Sequence, residues 1–217
     1  MYKAIVFDLD GTLLDTLDDL KNSVNFALQQ EGFPVRTREE IRTFVGNGML
    51  KLIERALGQE RYPQFDRVLK TFKAHYAEHC ADCTKPYEGV LALLETLQAR
   101  GIKTGILSNK ADAATKALAK LYFGERIEYA AGENEAAGIK KKPAPDALFA
   151  MMQEMGVERG ETLYVGDSDV DVNTAKNAGV DCVAVTWGFR SEEVLREAGA
   201  TRFADTPMQI LTYIKEG

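Results

Sequence analysis

Five short apolar runs, each ending in small or polar residues, set the tightest limit on what this chain can fold into. They lie at Lys3–Asp8, Lys103–Ser108, Ile127–Ala131, Thr162–Gly166 and Cys182–Thr186. Helix-like stretches separate the later ones. Val90, Leu91, Leu94 and Leu97 follow the helical period and stop at Arg100-Gly101, a C-terminal helix signal. Ala111–Leu121, Ala144–Met155 and Val170–Ala178 read as further helices. A strand covered on both faces is apolar throughout, and strand–helix alternation lays successive strands parallel. The pattern predicts an α/β fold built on a doubly wound parallel sheet.

The interval between the first two runs breaks this alternation. It reads as helical: Leu17, Leu20, Val24, Ala27 and Leu28 share one face, as do Phe65, Val68, Leu69, Phe72 and Tyr76. Turn signals fall at Gly32-Phe33-Pro34, Gly46-Asn47-Gly48 and Pro63. The stretch is too long for a crossover and too amphipathic for a disordered loop. It predicts an α-helical domain inserted at residues 16–85, with residues 1–15 and 86–217 forming the sheet core.

Charge and cysteine content narrow the function classes. The 27 basic and 33 acidic residues give a net charge of −6, so neither a nucleic-acid backbone nor an anionic membrane is the expected partner. No apolar run approaches the ~20 residues needed to span a bilayer, and Asp8 and Asp10 interrupt the N-terminal apolar stretch. The 3 cysteines are too few for a disulfide framework in 217 residues. A cytoplasmic, reduced location follows as an expectation.

Ligands of an open parallel sheet bind at the carboxyl ends of its strands, where strand order reverses. Three predicted strand ends carry polar groups that a core does not need: Asp8-Leu9-Asp10-Gly11-Thr12, Ser108-Asn109-Lys110, and Gly166-Asp167-Ser168-Asp169-Val170-Asp171. Lys140-Lys141-Lys142-Pro143 precedes another helix. Taken singly, each is ordinary: an aspartate after a strand caps helices or turns, and a lysine run is normally a solvated face. Taken together, carboxylates gathered on one rim repel one another unless a cation sits among them. An all-oxygen set favours Mg²⁺. A phosphate of about −1.5 to −2 charge, faced by Lys142 and Ser108, would balance the site. The only histidines, His75 and His79, fall in the insert, so a nucleophile at the rim must be a carboxylate.

These four segments resemble, in order and spacing, the four motifs of the haloacid dehalogenase-like hydrolases, and the insert falls where that family carries a helical cap. The resemblance implies that Asp8 is the nucleophile that becomes an aspartyl phosphate. Asp10 would protonate the leaving oxygen and then deprotonate the attacking water. It further implies Mg²⁺ held by Asp8, the Asp10 carbonyl and Asp167, with Asp171 in support. Thr12, Ser108, Asn109 and Lys142 would surround the phosphoryl group, Ser108 and Lys142 as catalytic residues and Asn109 positioning its neighbours. Val45-Gly46-Asn47-Gly48-Met49 and Thr16-Leu17-Asp18-Asp19-Leu20 are similar to the phosphoglycolate phosphatases of the family. Gly46 and Asn47 would then contact the substrate. The expected partner is a small phosphorylated metabolite, with the chain a monomer or homodimer.

Other readings stay open at this point. A dehalogenase lacks an acid at the place of Asp10. A β-phosphoglucomutase carries a histidine where this chain has Leu20. A pyrophosphatase differs only in substrate. A signalling receiver also uses an acceptor aspartate, a hydroxyl, a lysine and Mg²⁺, but its acceptor does not end the first strand. His75, His79, Cys80 and Cys83 could read as a zinc cluster, yet one Cys-x-x-Cys pair lacks the rest of such a framework, so packing is the expectation.

Overall fold

The computed structural model describes residues 1–58, 63–134, 138 and 140–214. The chain runs β1 (Ala4–Phe7), β2 (Leu14–Asp15), α1 (Leu17–Gln30), α2 (Arg38–Phe44), α3 (Met49–Leu57), α4 (Phe65–His79), β3 (Lys85–Pro86), α5 (Val90–Ala99) and β4 (Lys103–Ala111). It continues through α6 (Asp112–Phe123), β5 (Tyr129–Glu133), α7 (Asp146–Met155), β6 (Thr162–Gly166), α8 (Asp169–Ala178), β7 (Asp181–Val185), α9 (Glu192–Glu197) and β8 (Phe203–Ala204). By its contacts the chain divides into two compact units, Met1–Leu14 with Pro86–Gly217, and Asp15–Lys85.

The first unit carries a six-stranded sheet in the order β5-β4-β1-β6-β7-β8. Its strand pairs run parallel. The expected doubly wound α/β sheet is therefore present. β1 lies between β4 and β6, with Ala4 opposite both Lys103 and Thr162. The chain builds outward from β1 on one side, then returns to build on the other. Strand order thus reverses at β1, and the carboxyl ends of β1, β4 and β6 flank the crevice where such sheets bind ligands. All four residues of β1 are fully buried, as a strand covered on both faces must be.

Three boundaries depart from the sequence reading. β4 does not stop at Ser108 but continues to Ala111, because Ser108, Asn109 and Lys110 are themselves buried. β5 begins at Tyr129 rather than Ile127. The two-residue strands β2, β3 and β8 and the short helix α9 were not anticipated, since elements of that length show no period.

The second unit comprises the helices α1 to α4 among the described residues. Leu17, Leu20, Val24, Ala27 and Leu28 of α1 are buried, as are Phe65, Val68, Phe72 and Tyr76 of α4, so both predicted faces point inward. Leu69 is only half-buried. α2 opens with a reciprocal cap between Thr37 and Glu40. Asp19, 1% exposed, accepts hydrogen bonds from the Cys83 amide (2.9 Å), the Thr84 amide (2.8 Å) and the Thr84 hydroxyl (2.7 Å). A buried carboxylate thereby ties the last residues of the unit to its first helix. Among the described residues no helix is long and apolar enough to cross a membrane.

Asp19 should accordingly matter more than its surface neighbours. Asp19→Ala strands the buried Thr84 amide and removes the partner of the part-buried Cys83 amide, while the Thr84 hydroxyl keeps the Cys80 carbonyl, which calls for a loss on the order of 2 kcal/mol in urea unfolding followed by far-UV circular dichroism. Glu192→Ala, which removes an exposed ion pair with Arg196, should shift stability by less than about 0.5 kcal/mol.

Candidate active site

Asp8 follows β1 directly, and its 8% exposure places it in the wall of the crevice. Its Oδ1 accepts a hydrogen bond from the Leu9 amide at 2.7 Å and lies 2.9 Å from Lys142 Nζ. Among the described residues, no donor engages its second oxygen, Oδ2. Lys142 precedes α7, and its peptide bond to Pro143 is cis. Its ammonium also donates to Asp171 Oδ1 at 2.7 Å and to the Tyr164 hydroxyl at 3.2 Å. What holds this loop against the sheet is Asn109 at the tail of β4. Its amide donates to the Lys142 carbonyl at 3.0 Å, and its side-chain oxygen accepts the Lys142 amide at 2.8 Å. Asn109, expected near the phosphoryl group, thus has both ends of its amide on the Lys142 backbone.

Asp167 and Asp171 follow β6. Ser168 is the N-cap of α8, with its hydroxyl accepting the Asp171 amide while the Asp171 carboxylate accepts the Ser168 amide at 3.1 Å. The same segment is therefore both a helix cap and a wall of the site. With Ser168 on Asp171 Oδ2, and Lys142 and Tyr164 on Oδ1, both oxygens of Asp171 are engaged. That suits a supporting position. Asp167 accepts the Thr12 hydroxyl at 3.1 Å and the Phe189 amide at 2.7 Å. Thr12, expected to bind substrate, directs its hydroxyl to Asp167. Glycines make room for these contacts. A Cβ on Gly188 would lie 2.2 Å from Asp167 Cβ, and one on Gly11, at φ +88°, would lie 2.4 Å from Asp167 Oδ2.

One oxygen from each of Asp8, Asp167 and Asp171 falls within 4.8 Å of the others. Three carboxylates around the single ammonium of Lys142 leave charge for a hard divalent cation, and the donors are all oxygen. The residues therefore fit the metal that the sequence called for. Burial pushes the Asp8 carboxyl well above its usual range, and the Asp171 charge adds to the effect. Burial, followed by Asp171, lifts Asp167 to about 7. Burial alone would lower Lys142, but Asp171 and Asp8 outweigh it and hold the ammonium well above the ordinary lysine range.

Asp10 stands apart from this cluster. Its Oδ1 lies 3.0 Å from the ammonium of Lys110. Ser108 is 4% exposed, and its hydroxyl accepts the Lys110 amide at 3.2 Å. Gly46 and Asn47 belong to the helical unit, where Asn47 accepts a hydrogen bond from Arg55 at 2.8 Å and Arg55 also donates to the Phe44 carbonyl. Sequence reasoning missed Tyr164, Lys110 and Arg55. A tyrosine inside an apolar strand reads as a strand former, Arg55 reads as surface, and Lys110 stands in its strand-end motif without a role. The histidine–cysteine cluster does not assemble: His75 bonds Ser23 and stacks on Phe26 and His79, His79 bonds Asp82, and the Cys83 amide bonds Asp19. Among the described residues, the three aspartates are the one group that could ligate a metal three ways.

A sequence profile of the haloacid dehalogenase-like hydrolases matches residues 5–185. The chain belongs to this family. Its relatives include the phosphoglycolate phosphatase of Rhodospirillum rubrum, 36% identical over 94% of this chain and 88% of that protein. Another, from Chromobacterium violaceum, carries the same name and is 32% identical over 99% of this chain and 97% of its own. A Lactobacillus delbrueckii protein, whose crystal structure was solved as that of a candidate phosphoglycolate phosphatase, superposes with a TM-score of 0.94 at 36% identity. It covers 100% of this chain and 99% of that one.

The raised carboxyls of Asp167 and Asp8 both contribute to the pH dependence of the metal-free hydrolase. For Asp167, between its ordinary value of 3.8 and about 7, the folded state holds a proton that the unfolded chain releases. Stability must then fall as pH rises through that window and recover as pH drops. In excess chelator, the urea midpoint should be higher at about pH 6 than at about pH 8, and Asp167→Asn should reduce the slope, with the part due to Asp8 remaining. An unchanged slope in the variant would count against the assignment.

Proposed function

We propose that this phosphatase of the haloacid dehalogenase-like hydrolases acts on a small phosphate monoester, with phosphoglycolate the substrate, through an aspartyl phosphate on Asp8. The observation that carries the reading is the asymmetry of Asp8. One oxygen is fixed by the Leu9 amide and Lys142, while the other keeps its lone pairs for an incoming phosphorus. Asp8 Oδ2 attacks the phosphoryl group as the ester oxygen departs, and Asp10 gives that oxygen its proton. Water then attacks the phosphorus of the acyl phosphate. Asp10, now a carboxylate, takes the proton from that water, and inorganic phosphate and free Asp8 result. Ser108 and Lys142 hold the phosphoryl oxygens. Such transfers need little covalent work, so positioning and charge neutralisation supply most of the rate.

Asp8, Asp167 and the Asp10 carbonyl would hold Mg²⁺, supported by Asp171, and the bound cation would neutralise phosphate charge beside the nucleophile. The substrate follows the names of the relatives, which run at 32–36% identity over most of the chain. We read the helical domain, residues 16–85, as the cap of the family and its Gly46-Asn47 loop as the part that chooses the substrate. We read the setting as cytoplasmic, in keeping with a chain of only 3 cysteines.

Phosphatase activity should need Mg²⁺ and disappear in excess chelator, and full turnover of phosphoglycolate under chelation would remove the metal site. Asp8→Asn should form no phosphoenzyme. Asp10→Asn should lower turnover of alkyl phosphates by about 10²–10⁴-fold, while an aryl phosphate, whose leaving group needs no proton, still labels Asp8. Asn47→Ala should change the preference among esters more than the turnover of a generic aryl phosphate.

A further inference from the structure

We propose that Lys110 is a positioning residue for Asp10, holding one carboxyl oxygen so that the other faces the departing oxygen and, later, the water. The proposal rests on the acid–base role given to Asp10 above. Lys110 lies on the tail of β4, where the register with β5 shifts between Leu107 and Ala111. Its residue is 7% exposed and its side chain only 4%. A buried ammonium is costly unless a charge or acceptor meets it, and Asp10 is a carboxylate that meets this one.

The backbone of Lys110 is fixed from several directions. Its amide donates to Ser108 Oγ at 3.2 Å, and its carbonyl accepts the Thr115 hydroxyl at 3.3 Å. Gly132 of β5 packs so closely that a Cβ there would lie 2.4 Å from the Lys110 carbonyl oxygen. From this anchored base the ammonium comes within 3.0 Å of Asp10 Oδ1. The angle lies outside hydrogen-bonding geometry, and Oδ1 is a buried oxygen without a hydrogen bond. The hold is therefore one of charge, directed at one oxygen. Among the described residues no donor engages Asp10 Oδ2, which is the oxygen left to carry the proton.

Each aspartate of the first motif thus faces a different lysine. Lys142 serves Asp8 and Asp171, while Lys110 serves Asp10, and the second pair lies outside the acidic cluster. A carboxyl displaced by about 1 Å can lose on the order of 10²-fold in rate. That loss should appear only in the steps that need the proton.

The test compares Lys110→Met, Lys110→Arg, Asp10→Asn and the double variant Asp10→Asn/Lys110→Met on one alkyl and one aryl phosphate. Lys110→Met should lower kcat for the alkyl ester by about 10–100-fold, with KM little changed, and lower aryl ester phosphorylation of Asp8 by less than about 3-fold. Lys110→Arg should restore most of the alkyl turnover. In the Asp10→Asn background the methionine change should add no further loss, because the two residues then act as one unit. Equal losses on both esters, or losses that multiply in the double variant, would overturn the positioning role. Should Lys110→Met fail to fold, Lys110→Gln carries the same comparison. Normal alkyl turnover by Asp10→Asn alone would instead remove the acid–base reading on which the proposal stands.

Discussion

The ammonium of Lys142, 2.9 Å from Asp8 and 2.7 Å from Asp171, is the contact around which the rest of the core is arranged. Asp171 is fully buried with it and Asp8 nearly so, which leaves little water to screen these charges. Removing Lys142 leaves two carboxylates facing each other uncompensated in a low-dielectric interior, which is far more costly than losing a surface pair. The surrounding contacts serve this arrangement. Asn109 fixes the Lys142 backbone, Tyr164 presents its hydroxyl from below, and the cap of α8 aims Asp171. The geometry is specified by small polar groups on rigid elements, as a site that must hold charge in place requires.

Sheet order explains why these residues meet. β1 is central, and its neighbours β4 and β6 come from distant parts of the sequence. Their carboxyl ends deliver Asp8, Ser108 with Asn109, and Asp167 with Asp171 to one crevice. No local turn could do this, because each pair of motifs is separated by entire helices. Parallel pairing also aligns the strands, so that Phe7 stands opposite both Ile106 and Val165 just before the polar residues begin. The apolar runs therefore set the register, and the register sets the spacing of the carboxylates.

Much of this was legible in the amino-acid order, and for a physical reason. A strand end that carries aspartates contradicts the apolar logic of its own strand, so Asp8, Asp167 and Asp171 stand out against their surroundings. Tyr164 and Arg55 do not, and Lys110 stands out only as part of its strand-end motif, with no sign of its partner. Tyrosine suits a strand by propensity, and a lysine or arginine is ordinary at a surface. Their meaning appears only when a partner from far along the chain is in place: Asp171 for Tyr164, Asp10 for Lys110. Thr12 and Asn109 show the opposite case. Their motifs mark them as important, but whether a hydroxyl or amide faces ligand or protein depends on contacts with Asp167 and Lys142 that spacing does not encode. Asp19 reads as an ordinary first-turn acid, since the amides it accepts arrive from Cys83 and Thr84.

The central place of β1 also orders events during synthesis. The ribosome releases this strand first, yet its sheet partners at Lys103–Ala111 and Thr162–Gly166 leave much later. Residues Asp15–Lys85 emerge in between, and they include the whole of the helical unit with its own core. Contacts between residues close in sequence form sooner than distant parallel pairings. The nascent chain therefore exposes an unpaired apolar strand, Ala4–Phe7, until Lys103–Ala111 has been made, and its second edge stays open until Thr162–Gly166 follows. Of the three carboxylates around Lys142, Asp8 is translated first and Asp171 last, so the charge cluster and the sheet beneath it are completed together late in elongation.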